Sequence, residues 1–139
     1  MVQKVHEVMT DAPVTVTSQT TLTDAARLMR EHDIGDVLVM DDSQLCGILT
    51  DRDIVVRAVA DARDSNMTTV GEVCSRDIID ASPDDDADRI LLLMRARSVR
   101  RVPVVEQGRV VGILSLGDMA VERDPQSVLA DISASDPNG

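Results

Sequence analysis

Two seven-residue stretches carry the side chains best suited to chemistry: Gly47-Ile48-Leu49-Thr50-Asp51-Arg52-Asp53 and Gly112-Ile113-Leu114-Ser115-Leu116-Gly117-Asp118. Each runs glycine, two aliphatic residues, a hydroxyl residue and, three positions later, an aspartate. A hydroxyl followed at that spacing by an acid resembles a helix capping box, in which each side chain satisfies a backbone N–H of the first turn. The same pair has a second use. A carboxylate one turn from a hydroxyl can accept from both hydroxyls of a cis-diol such as ribose, and a helix N-terminus beside it favours phosphate. Both uses ask for one local structure, a strand that ends at the hydroxyl and a helix that begins there. Two copies at matched positions favour the ligand over a cap alone.

Other chemistries find less support. His6 and His32 have no partner at metal-ligand spacing, and Cys46 and Cys74 form no C-x-x-C pair, so no metal site is expected. No nucleophile and base come with a positioning third group, and no glycine-rich phosphate loop is present, so no catalytic residue is assigned and no enzyme is expected. Phe, Tyr and Trp are all absent, which removes aromatic cages and base-stacking platforms. Asp and Glu number 25 against 14 Lys and Arg, a net charge of −11 that repels nucleic acid and anionic membranes. The opening residues contain Lys4, His6 and Glu7 and no apolar core of signal-peptide length, and no run reaches membrane-spanning length. A cytoplasmic location with two reduced thiols is the expectation.

The elements that must position the two motifs emerge from an internal period. Sliding the 139-residue chain by 65 positions sets Val5-His6-Glu7-Val8 on Val70-Gly71-Glu72-Val73, Leu28-Met29-Arg30 on Leu93-Met94-Arg95, and Gly47-Ile48-Leu49 on Gly112-Ile113-Leu114. The first copy is assigned to 1–65, the second to 66–124, and a tail to 125–139 that forms a short helix and then runs disordered. Within each copy, Val14-Thr15-Val16 or Ile78-Ile79 predicts a short strand. Apolar residues at Leu22, Ala25, Ala26 and Met29, and at Ala87, Ile90, Leu91 and Met94, predict helices. Thr20 or Thr21 can cap the first, and Pro83 with Asp84 to Asp86 suits the start of the second. Paired strands follow at 37–40 and 45–49, and again at 102–105 and 110–114, and a further helix begins at Thr50 or Ser115. The expected class is α+β: two tandem β-α-β-β-α repeats, packed sheet to sheet about a pseudo-twofold axis because each is too small to close a core alone.

From residue 3 to about 123 the chain resembles a pair of cystathionine-β-synthase (CBS) domains, a Bateman module. The resemblance is carried by V-H-E-V-M-T ending at Thr10, T-L-T-D-A-A-R-L-M ending at Met29, H-D-I-G-D-V-L-V ending at Val39, V-R-R-V-P-V-V ending at Val105, and the two motifs above. It implies a non-catalytic sensing module with no required cofactor, binding AMP, ADP, ATP or S-adenosylmethionine. It further implies a homodimer built as a disc of four repeats, and action in trans on a protein partner. The alternative is a ligand-free scaffold for dimerisation or docking, with both motifs serving as helix caps.

Carried over position by position, the resemblance implies two sites. In the first, Thr50 and Asp53 hold the ribose, while Val14, Ile34 and Gly35 face adenine. In the second, Ser115 and Asp118 hold the ribose, and Ile79 and Val99 line the base. Arg100 and Arg101 stand where the family often binds phosphate, whereas the first copy has Gly35 and Asp36 there. Two guanidiniums suit a phosphorylated ligand and Asp36 does not, so the second site is the expected phosphate binder. Leu116-Gly117 replaces Asp51-Arg52, and Gly117 loosens the first helical turn.

Overall fold

The computed structural model describes residues 3–11 and 13–117; Asp118 and the tail expected from residue 125 lie outside the described residues. A 3-10 turn at Val5–Glu7 precedes β1 (Thr10–Asp11) and β2 (Thr15–Val16), then α1 (Leu22–His32), β3 (Asp36–Asp41) and β4 (Gln44–Thr50). Next come α2 (Asp51–Ile54), which runs directly into a π-helical turn at Val55–Val59, and α3 (Val70–Val73). The second half holds α4 (Ala87–Arg97), β5 (Arg101–Glu106) and β6 (Arg109–Ser115). Mixed helices and small sheets in tandem repeats make the fold α+β, as the period implies.

The helices begin and end as their residues dictate. Thr21, not Thr20, caps α1, its hydroxyl accepting from Asp24 N at 3.2 Å. Asp86 caps α4 by accepting from Asp88 N at 2.9 Å. Both helices stop at a residue in the left-handed region, Asp33 at φ 56° and Ser98 at φ 55°. The next residue then folds back: Ile34 N donates to Met29 O, and Val99 N to Met94 O, both at 2.9 Å. This closure satisfies terminal carbonyls and turns an apolar side chain toward the helix it leaves. Ile34 and Val99 accordingly pack against their cores.

Each hairpin closes through two residues of positive φ, Asp42 and Ser43 in the first, Gln107 and Gly108 in the second. That is the twist which keeps two tightly joined strands paired. Both hairpins carry a register shift at the same point, between Val39 and Met40 and between Val104 and Val105.

Among the described residues two three-stranded sheets result, one ordered β2-β3-β4 and the other β1-β6-β5. Among the described residues one compact unit takes Val14–Ile78, and the other takes the chain up to Pro13 together with the chain from Ile79 on. The unit in space is therefore offset from the period in sequence. Thr10 pairs with Ile113 in β6, and 65 positions away on each side Ser75 pairs with Ile48 in β4. Likewise Lys4 bridges to Asp86 and Thr69 to Thr21. The opening segment of each sequence copy thus completes the fold of the other.

Buried side chains follow this exchange. Val70, Val73 and Cys74 pack with Leu22, Met29, Val37, Val39 and Leu49. Val5 and Val8 pack with Ile90, Met94, Val102, Val104 and Leu114. Fully burying each such aliphatic side chain contributes about 1.5–3 kcal/mol.

The copies diverge at their first strand. Leu38 N donates to Val14 O at 3.0 Å, and β2 runs parallel to β3. The counterpart of Leu38 is Pro103, which has no N–H to offer. Pairing shrinks there to a single parallel bridge, Ala81 with Val104, and no strand forms at the expected Ile78-Ile79.

Candidate functional site

Strand pairing brings the candidate residues together in each unit. Asp36 lies opposite Thr50 at the end of the first hairpin, and Arg101 opposite Ser115 at the end of the second. The chain then turns into a helix, and the first helical N–H crosses back to the neighbouring strand. Asp51 N donates to Gly35 O, and Leu116 N to Arg100 O, each at 2.9 Å. One backbone bond therefore holds Gly35 beside Thr50, and its counterpart holds Arg100 beside Ser115. Val14 and Ile34 pack on the first core, Ile79 and Val99 on the second.

In the first site, Thr50 and Asp53 form the reciprocal cap. Thr50 Oγ1 accepts from Asp53 N at 3.0 Å, and Asp53 Oδ2 accepts from Thr50 N at 3.0 Å. Neither group is exhausted: the Thr50 hydroxyl retains its proton to donate, and each carboxylate oxygen has a second lone pair. The Asp53 side chain is 13% exposed, and its Oδ1 lies 3.9 Å from Arg57 Nε. Ser115 is buried in the second site, and Arg100 and Arg101 are exposed. The ribose carboxylate expected there, Asp118, lies outside the described residues.

Several roles went unread in the sequence. A Cβ on Gly47 would stand 2.6 Å from Ser75 O, and one on Gly112 would stand 2.8 Å from Thr10 O. The glycine that opens each motif thus admits the exchanged segment, a close backbone approach that any side chain would block. Asp51 is a third such residue. Its Oδ1 accepts from Arg52 N at 2.8 Å, and its Oδ2 sits 3.0 Å from where a Gly35 Cβ would be. Arg57 is a fourth: it donates to Val73 O at 3.1 Å and to Cys74 O at 3.4 Å. Its spacing of four from Asp53 was the available signal.

The Cys74 thiol lies beside Gly47, and burial pushes its pKa up, with Arg76 opposing. A thiol held protonated is a poor nucleophile. Among the described residues, no group of three or more His, Cys, Asp or Glu is arranged to hold a metal ion, and no helix is long and apolar enough to cross a membrane.

Comparison with known proteins bears on this geometry. A family model described as "CBS domain" matches residues 5–59 and 70–133. The CBS domain-containing protein YhcV of Bacillus subtilis is 39% identical over 119 residues, spanning 86% of this chain and 84% of that protein. Among solved structures, Hypoxic Response Protein I with two coordinated zinc ions matches at 39% identity and a TM-score of 0.77, covering 85% of this chain and 97% of that one. The CBS domain pair of protein MJ0100, in complex with 5′-methylthioadenosine and S-adenosylmethionine, matches at 28% identity and a TM-score of 0.80, covering 91% of this chain and all of that one.

Proposed function

The chain belongs to the CBS-domain family, and we propose that it is a non-catalytic regulatory module that binds an adenosyl ligand and acts in trans on a protein partner. The observation that carries this reading is the convergence, in both units, of a strand-end hydroxyl with the residues just after the preceding helix. Thr50 is joined to Gly35 by the Asp51 N–H, and Ser115 to Arg100 by the Leu116 N–H. Thr50 with Asp53, and Ser115 with Asp118, take the ribose. Val14, Ile34 and Gly35, or Ile79 and Val99, take the base. Arg100 and Arg101 make the second site the one for phosphate. The ligand is regulatory, so no cofactor is required.

The functional form is a cytoplasmic homodimer, its sequence copies spanning 1–65 and 66–124. Val55, Val56 and Val59 leave an apolar stripe exposed beyond α2, a surface suited to a second copy. Ligand acts by favouring one arrangement of the assembly over another, and can shift it only by its difference in affinity for the two.

Isothermal titration with AMP, ATP and S-adenosylmethionine tests this. Binding of at least one, weakened by Ser115→Ala or Asp53→Asn, is the expected result; no heat with any defeats the proposal. The completed Thr50–Asp53 cap favours a second reading, a ligand-free scaffold whose motifs only terminate helices. That reading requires equal thermal stability with and without nucleotide, because a ligand binding the native state raises it.

A further inference from the structure

The two sites share a backbone frame and differ in what occupies the start of the helix behind the hydroxyl. In the first site the chain has taken up the opening N–H groups itself. Asp51 N is bonded to Gly35 O, Arg52 N to Asp51 Oδ1, and Asp53 N to Thr50 Oγ1. Donors that an anion needs are already engaged, two of them by side chains. The Asp51 carboxylate also lies over Gly35, on the path between that backbone and the hydroxyl end of β4. Asp36 adds a carboxyl whose Oδ2 is buried next to the same strand end.

Charge adds to the effect of geometry. The first site sets the carboxylates of Asp36, Asp51 and Asp53 against the guanidiniums of Arg52 and Arg57. Arg57 divides its guanidinium between Asp53, whose Oδ1 lies 3.9 Å from Nε, and the carbonyls of Val73 and Cys74, so the acids still outnumber the cations. At the positions matching Gly35, Asp36, Asp51, Arg52 and Asp53 the second copy has Arg100, Arg101, Leu116, Gly117 and Asp118, two guanidiniums against one carboxylate. The Leu116 side chain carries no oxygen to take up the N–H that follows it, as the Asp51 carboxylate does.

We propose that the first site selects adenosyl compounds whose 5′ substituent is uncharged or cationic and rejects phosphorylated ones, with Asp51 and Asp36 as the residues that set this choice. The inference rests on the adenosyl reading above and adds a division of labour to it: one unit responds to a nucleotide's phosphate, the other to an adenosyl group without one. A sulfonium or thioether at the 5′ carbon meets three carboxylates favourably or neutrally, whereas a phosphate meets them as a like charge.

The test is calorimetry on the full chain with three probes: AMP, S-adenosylmethionine and 5′-methylthioadenosine. In the Ser115→Ala/Arg101→Ala variant, which disables the second site, both sulfur compounds bind and AMP binds on the order of 100-fold more weakly. Installing the second copy's residues by Asp36→Arg/Asp51→Leu in that background reverses the order. Asp51→Asn, which keeps the shape of the turn, shifts the ratio the same way by on the order of 10-fold, and reads out the effect if the double exchange does not fold. Equal affinity for AMP and S-adenosylmethionine at the first site overturns the selectivity and leaves the adenosyl reading standing. Failure of all three probes to bind the unsubstituted chain removes both.

Discussion

Thr50 and Ser115 occupy the same point of the same motif, and the backbone around them agrees closely. Each ends the outgoing strand of a hairpin, each lies opposite the first residue of the incoming strand, and each is followed by an N–H that bonds a carbonyl one residue before that strand. The side chains on that frame disagree. Asp36 faces Thr50 and Arg101 faces Ser115; Asp51 follows one and Leu116 the other. Duplication has kept what backbone hydrogen bonding requires and varied the charges around it. A pure capping role would not demand opposite charges at matched positions, since a cap needs only the oxygen that accepts an N–H.

The comparison can be broken most forcefully at the two glycines. Gly47→Val and Gly112→Val push a side chain into Ser75 O and into Thr10 O, and each costs about 3 kcal/mol or more by overpacking. Chemical denaturation should place the two losses within about 1 kcal/mol of each other if the exchanged segments are equivalent. A loss at one position only would show that one exchange is dispensable.

Next in size is the strand that the second copy lacks. Leu38→Pro removes the N–H that bonds Val14 O and costs about 2 kcal/mol, chiefly through the acceptor left behind. Pro103→Leu restores an N–H opposite Ile79. Slower amide exchange at residue 103 than at an exposed loop would show that proline alone shortened that strand.

Thr50→Ala removes the cap oxygen and costs about 1 kcal/mol of stability. If the hydroxyl also holds a ribose, the same change weakens adenosyl binding, and Thr50→Ser restores both. Stability restored without binding would reduce the site to a cap.

The smallest effect is expected at Glu72. Its carboxyl accepts from Thr69 N at 2.7 Å and from the Thr69 hydroxyl, and pairs with Arg63; the backbone bond first, then these two, hold its pKa below the ordinary carboxylate value. A folded pKa below the unfolded one stabilises the fold above the unfolded value, and that contribution disappears as pH falls through the folded one. Melting temperature plotted against acid pH should therefore flatten in Glu72→Gln. The matched Glu7 accepts from Lys4 N at 2.9 Å, so Glu7→Gln tests whether the second opening segment is secured in the same way.

Much of the frame was legible because it depends on local rules. Spacings of three and four in Leu22, Ala25 and Met29 predicted α1, and the same spacings in Ala87, Ile90 and Met94 predicted α4. Paired strands were expected on either side of 41–43 and of 107–108, and both pairs close there with positive φ. The strand-to-helix passage at Thr50 was equally plain. Less legible were Gly47 and Gly112, whose neighbours come from segments far along the chain, and Asp51, whose carboxylate serves the N–H of the very next residue. A strand at Ile78-Ile79 was expected because two isoleucines favour extended chain; the missing N–H of Pro103 outweighed that preference.

By itself the sequence determined the duplication, the helix-strand-strand order of each copy and the placement of a hydroxyl and an acid at the start of a helix. These follow from periodicity and from hydrogen bonds between residues a few positions apart. Only the tertiary structure decided which segment completes which sheet, and so why Gly47 and Gly112 must be glycine. Pairing Thr10 with Ile113 and Ser75 with Ile48 depends on burying Val5 and Val8 in one core and Val70 and Val73 in the other, and burial is non-directional: it carries no mark in the chain of the partner that will supply it.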